Sequence, residues 1–196
     1  MPHVDSVRTR LSDITSIELF FDLVFAFAIS QLSHHLLAQT DWRGGAETLV
    51  MLVGVFSVWS YTSFEVTLTH TRRAHLAPMM LVVMQLGLFM NAAILQAFDE
   101  RPFAFVVPLL AIQIGRTALS TIPAAPTPTL RRHYTIMLAW ILASAPLWVA
   151  GAFAAPEPRL AWWGAAGLVD TFGTWLAHPL PARRLRSETS LSTRST

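Results

Sequence analysis

Six stretches of about 20 mostly apolar residues alternate with short polar connections: roughly 17–38, 47–69, 76–98, 103–122, 134–155 and 160–178. At a rise of about 1.5 Å per residue, each is long enough to cross the hydrocarbon core of a bilayer as a helix. The apolar residues form continuous runs instead of recurring at helical spacing, so the solvent they imply is lipid. The pattern predicts an all-α protein, a polytopic transmembrane helical bundle of six spans. Stretches 76–98 and 134–156 hold no Asp, Glu, Lys or Arg and are the clearest, whereas Asp170 interrupts the sixth. Pro108 and Pro146 fall inside spans, where membrane helices tolerate a kink.

The connections define three parts: a cytoplasmic N-terminal segment (1–16), the six-helix domain (17–178) and a basic, Ser/Thr-rich cytoplasmic tail (179–196). PAAPTPT (123–129) reads as a proline-rich loop and SETSLSTRST as a polar, disordered tail. Arg8, Arg10, Arg72, Arg73, Arg131, Arg132, Arg183, Arg184, Arg186 and Arg194 fall on one side of the predicted membrane. Arg43, Arg101 and Arg159 fall on the other. Basic residues mark the cytoplasmic face, so both termini are expected inside the cell. Trp42, Trp162 and Trp163 are expected at the outer boundary as interfacial anchors. The first apolar run is interrupted by Glu18 and Asp22 and reads as a retained helix, not a signal peptide.

Composition sharpens this picture. Charged residues make up 13% of the 196, half the share usual in a soluble domain, too few to cover a water-facing surface. All 14 basic residues are Arg, and all but Arg116 are placed between apolar runs where topology explains them, so nucleic acid is not an expected partner. The chain has no Cys, which excludes disulfides, thiolate metal sites and a cysteine nucleophile. His34 and His35 project about 100° apart on a helix and His70 and His75 have poor ligand spacing, so no metal site is expected. No cofactor-binding or catalytic pattern is complete, and the chain is not expected to be an enzyme.

Ionisable residues inside spans are costly and are functional candidates by default. Five form a candidate intramembrane polar cluster, Glu18, Asp22, Glu65, Arg116 and Asp170, all in the cytoplasmic halves of their helices. Glu18 and Asp22 are four apart and share a face. Arg116 is the one basic residue within a span, which makes Asp22 its expected partner. Such a group of charges serves either as a helix-to-helix tie or as a vestibule for a cation or proton. Gln31, His34 and Gln113 are secondary polar candidates, a type that more often ties helices together than binds substrate.

The segment Glu18–Leu32, ELFFDLVFAFAISQL, resembles the signature of the bacterial low temperature requirement protein A family. Glu18, Leu19, Phe20, Phe21, Asp22, Leu23, Val24, Phe25, Gln31 and Leu32 carry the likeness. The aromatic second span around Trp59, AIQIGRT (111–117) and DTFGTWLAHPLPARRLRSE (170–188) extend it along most of the chain. The resemblance implies a multi-pass membrane protein linked to growth in the cold. Members of that family continue into a second helical half, so the likeness implies a truncated, N-terminal-half member. FFDLVFAFAIS is also similar, more distantly, to the Phe-Ser-Asp first helix of lysosomal potassium channels and their bacterial relatives. Phe20, Asp22, Val24, Phe25 and Ala26 match, while Phe21 replaces the Ser and Phe27 stands where those channels carry an aliphatic pore residue. This implies transport in general, without potassium as the cargo.

The expected function is that of a transporter or channel component for a small ion or solute in the bacterial inner membrane. The alternative is a structural or regulatory membrane protein that supports the envelope at low temperature. A membrane enzyme acting on lipid or isoprenoid ranks third. Expected partners are the lipid bilayer and either a missing second helical half or further copies of the chain.

Overall fold

The computed structural model describes the backbone of residues 2–68, 73–121 and 128–177, and side chains over 19–63, 78–119 and 131–173. Six α-helices occupy the described residues: α1 Pro2–Ala38, α2 Trp42–Leu68, α3 Arg73–Ala93, α4 Pro102–Thr121, α5 Pro128–Phe153 and α6 Pro156–Ala177. A single 3-10 turn, Ile94–Gln96, finishes α3. The all-α expectation holds, and each helix contains or closely matches one of the six predicted stretches. Four helices, α1, α4, α5 and α6, begin on a proline, whose missing N–H costs nothing in a first turn and whose φ is already helical. Pro78, Pro108 and Pro146 lie inside helices.

Among the described residues five helices are long and apolar enough to cross a membrane, over Leu19–Ala38, Trp42–Ser63, Pro78–Gln96, Pro102–Leu119 and Arg131–Phe153. Helix α6 is long enough, but Glu157, Arg159 and Asp170 dilute its apolar character. Two of these three point inward: Arg159 and Asp170 are buried in the protein. The helix α1 is continuous from Pro2, so the segment 1–16 is largely a helical extension of the first span. The tail 179–196 and most of the loop 123–129 lie outside the described residues.

The helices form a closed ring in which α1 touches α2 and α3, α3 touches α4, α4 touches α5, α5 touches α6, and α6 returns to α2. Helices α2 and α4 also meet across the ring. Short turns join α1 to α2, α3 to α4 and α5 to α6, so these pairs are antiparallel hairpins whose turns share one end of the bundle. The packing there is aromatic. Trp163 lies 4.8 Å from Phe98, 5.6 Å from Phe105 and 5.7 Å from Trp148, ring centre to ring centre. Its indole N–H donates to the carbonyl of Trp148 at 3.0 Å. Trp163 is therefore a core residue and not the interfacial anchor its position suggests; Trp42 and Trp162 are the exposed ones. Close helix approach requires a small residue at Gly173 of α6, where a Cβ would stand 2.7 Å from Trp140 Cβ.

Candidate functional site

The polar side chains separate into a staple at the short-turn end and a cluster deeper in the bundle. At the short-turn end, α6 starts beside the end of α5 and the turn after α3. The last carbonyls of a helix have no partner within it, and Arg159 supplies one. Its Nε donates to Gly151 O at 3.1 Å and its Nη2 to Ala154 O at 2.8 Å, both at the end of α5. Its Nη1 serves the carbonyls of Ala97 and Asp99, each at 3.3 Å, and of Phe98. The guanidinium also lies over the Trp163 ring, 5.8 Å from its centre. Arg159 was expected in an exposed loop; it is buried because two helix ends need its five donors.

Glu47 is a second buried charge at this end. Helix α2 begins at Trp42, so Glu47 is more than one turn inside it instead of at its margin. Arg43 Nε, four residues earlier, donates to its Oε1 at 2.8 Å. His35 Nε2 of α1 lies 3.4 Å from its Oε2, close enough for an ion pair but not aligned as a hydrogen bond. His34, the expected polar candidate, is exposed, while its neighbour His35 is buried against α2.

The deeper cluster centres on Asp170, about 14 residues and roughly 21 Å along α6. Trp148 of α5 donates its indole N–H to Asp170 Oδ2 at 3.0 Å, and Ser144 of α5 and Gln113 of α4 lie beside the carboxyl. Gln113 Nε2 further donates to Ser57 Oγ of α2 at 2.9 Å, tying the fourth helix in. Tyr61 of α2 donates to the Asp170 backbone carbonyl at 3.5 Å. The Tyr61 ring in turn carries Arg116 of α4, whose Cζ is 5.4 Å from its centre. Asp170, Gln113 and Arg116 are all buried. Gln113 Oε1 is buried too and accepts no hydrogen bond among the described residues. Three of the named candidates thus fall in one neighbourhood, joined by Ser57, Tyr61, Ser144 and Trp148, which sequence patterns did not mark.

Asp22 lies elsewhere. Its carboxylate is exposed and accepts a hydrogen bond from Trp59 Nε1 at 3.2 Å. Trp59 is itself stacked on Phe25, with ring centres 5.1 Å apart. Among the described residues no ion pair joins Asp22 to Arg116, contrary to expectation. The reason is topological: α1 packs on α2 and α3, while α4 packs on α3, α5 and α2. The two helices are not neighbours in the ring. The side chains of Glu18 and Glu65 lie outside the described residues. Gln31 is half-buried on α1. Asn91, absent from the candidates, is buried on α3 and donates to the carbonyl of Val24 at 2.9 Å, fastening α3 to α1.

Among the described residues no group of three or more His, Cys, Asp or Glu side chains is placed to hold a metal ion. An all-helical bundle with several apolar spans and polar residues turned inward defines a multi-pass membrane protein. The chain belongs to the bacterial low temperature requirement A (LtrA) family, whose model matches residues 13–194. It is 28% identical over 184 residues to the uncharacterized protein RA0937 of Rhizobium meliloti (strain 1021). That match covers 91% of this chain and 45% of the relative, so the chain spans about half the length of the protein it resembles. No solved structure matches.

Proposed function

We propose that this protein is a component of a transporter or channel that handles a small ion or solute in the bacterial inner membrane. The observation that carries the reading is the environment of Asp170. A carboxyl group buried among apolar helices is costly unless it is satisfied, and such groups mark ion and proton paths in membrane proteins. The neutral side chains around it, its donor Trp148 and the nearby Gln113 and Ser144, come from two other helices. Gln113 Oε1 adds a buried acceptor beside it. A carboxyl and an amide oxygen together suit a proton or a small hard cation, which take oxygen ligands. The reading involves no covalent chemistry and does not rest on the likeness to potassium channels.

In this reading α6 is the sixth span despite its charges, because its two buried charged residues face protein and not lipid. Both termini are cytoplasmic, which places the short-turn end outside and Asp170 in the inner half. Reporter fusions after Arg73 and Arg132 are expected to read cytoplasmic and fusions near Arg43, Arg101 and Arg159 external; reversal at two or more sites would overturn the orientation. Transport itself is tested by reconstituting the purified chain in liposomes and following proton, potassium and sodium flux. Flux above that of empty vesicles, reduced at least tenfold by Asp170→Asn, supports the proposal.

The second reading, a structural membrane protein supporting the envelope in the cold, has Arg159 in its favour. A charge spent entirely on backbone carbonyls fastens helices and moves nothing. Under that reading no ion flux appears, and Asp170→Asn changes stability alone.

A further inference from the structure

Helix α1 is the least enclosed of the five apolar spans, with 28% of Leu19–Ala38 buried. It packs chiefly on α2 and α3, so its place in the ring depends on what fastens it to them. Deeper in the bundle, Trp59 of α2 donates to Asp22. Near the short-turn end the contact is of another kind. His35 of α1 faces Glu47 of α2, Nε2 to Oε2 at 3.4 Å, with only 3% and 2% of the two side chains exposed. The reading built on Asp170 uses neither residue.

An imidazole nitrogen and a carboxylate oxygen that face each other need a hydrogen between them, because two lone pairs repel. The neutral ring meets this need with its hydrogen on Nε2, which leaves Nδ1 as an acceptor. At this distance and out of line the contact is weak, and His35 Nε2 makes no hydrogen bond among the described residues. A second proton, on Nδ1, turns it into an ion pair at a site where water does little to weaken the attraction. Burial opposes the new charge, and the facing carboxylate offsets that cost.

Two features of the surroundings suit a cation there. His35 lies in the last turn of α1, where the negative end of the helix favours positive charge. The short-turn end also carries an excess of acids: Asp41, Glu47, Asp99, Glu100 and Glu157 against Arg43, Arg101 and Arg159. Asp41 and Glu157 lie within coulombic reach of Arg43, as Glu47 and Asp99 do of Arg159. Arg43, bound to the same carboxylate through Oε1, is the cation that opposes a charged ring. From α3 and its 3-10 turn, residues 78–96 bring no titratable group to this face. His34, the neighbour on α1, is exposed.

We propose that His35 and Glu47 form a proton-binding clasp between α1 and α2, in which proton uptake by the ring turns a weak polar contact into a buried ion pair that holds α1 against α2. The proton comes from the aqueous phase at the short-turn end, since His35 is within one turn of the end of α1. The sign follows from which state makes the ion pair. The added stability is present while the ring is charged and is lost as pH rises through the imidazole's titration.

The test follows the melting temperature of the purified full chain in detergent between about pH 8 and about pH 5. Wild type is set beside His35→Gln, Glu47→Gln and, as the control, His34→Gln. Differences from wild type are read, because other acids titrate in all four proteins. The deficits of His35→Gln and Glu47→Gln are expected to grow by several degrees as pH falls, while that of His34→Gln stays constant. Arg43→Gln, at a side chain that is 39% exposed, keeps the test decisive where loss of a buried partner prevents folding. With Oε1 no longer held by Arg43, Glu47 leans more on His35, and stability is expected to climb more steeply toward acid than in wild type. A His35→Gln deficit that is constant with pH, an equal pH-dependent deficit in His34→Gln, or an Arg43→Gln profile parallel to wild type would overturn the proposal. The outcome does not depend on whether the bundle transports anything.

Discussion

Arg159 and Asp170 sit eleven positions apart on the same helix, both buried, and the protein satisfies them in opposite ways. Arg159 is bound by main-chain carbonyls at two helix ends, groups that cannot turn away without unwinding the helices. Asp170 is held by a side chain of a neighbouring helix, the indole of Trp148, with Ser144 and Gln113 beside it. A charge held by backbone is fixed in place. A charge held by side chains can exchange one partner for another, which handling an ion or proton demands. On the proposed reading the short-turn end is structural and the deeper cluster is where an ion or proton would be handled.

The largest expected effect of any single change is at Arg159. Replacement by Met fills a similar volume but leaves the carbonyls of Ala97, Phe98 and Ala154 without the guanidinium that serves them. Each buried acceptor left unsatisfied costs about 1–3 kcal/mol. Arg159→Met is expected to cut detergent-extracted folded yield sharply; a melting temperature equal to wild type would remove the staple from the account. Next comes Gly173→Ala, where the new Cβ would meet Trp140 Cβ at 2.7 Å, close to the backbone and unable to swing aside. Overpacking of this kind costs about 1–3 kcal/mol, against which the better helix propensity of Ala returns less than about 1 kcal/mol. A stabilised Gly173→Ala protein would contradict the α5–α6 packing.

Trp148→Phe separates the two regions more finely. It keeps a ring against Gly54 and Phe105 but removes the indole N–H from Asp170. The lost hydrogen bond to a charged group costs about 1–3 kcal/mol, measurable as a lower melting temperature, with a larger proportional loss of flux than of stability. Flux and stability falling in parallel would demote the cluster to a structural tie. The smallest effect is expected at Phe172, exposed on α6, where Phe172→Ala should change stability by less than about 0.5 kcal/mol.

Length and hydropathy made the helices legible, but the helix starts at Pro128 and Pro156 were placed too late, the first inside a proline-rich loop. Which way each helix faces was not legible, because a helix apolar all round carries no phase in its pattern. Hence Trp162 and Trp163 looked equivalent, though one is exposed and the other is core, and His34 drew attention that belonged to His35. Asp170 and Arg116 were visible as charges inside spans. Arg159 was not, since nothing in a basic residue near a turn shows that two helix ends converge on it. Glu47 had a local signal, Arg43 four residues before it, obscured by placing the start of the span too late. The pairing of Asp22 with Arg116 failed because depth along a helix is readable from sequence, whereas neighbourhood around the ring is not.

The most direct test sets Asp170→Asn beside Arg159→Lys in liposomes reconstituted to equal folded content. The Asn keeps the shape and an acceptor but removes the charge from a site held by side chains. The Lys keeps the charge but loses the planar set of donors. The account predicts cation or proton flux in wild type, flux reduced at least tenfold in Asp170→Asn at a melting temperature within a few degrees of wild type, and residual flux per folded molecule in Arg159→Lys despite lower stability. Unchanged flux in Asp170→Asn, or none in wild type with any of the three ions, would contradict it.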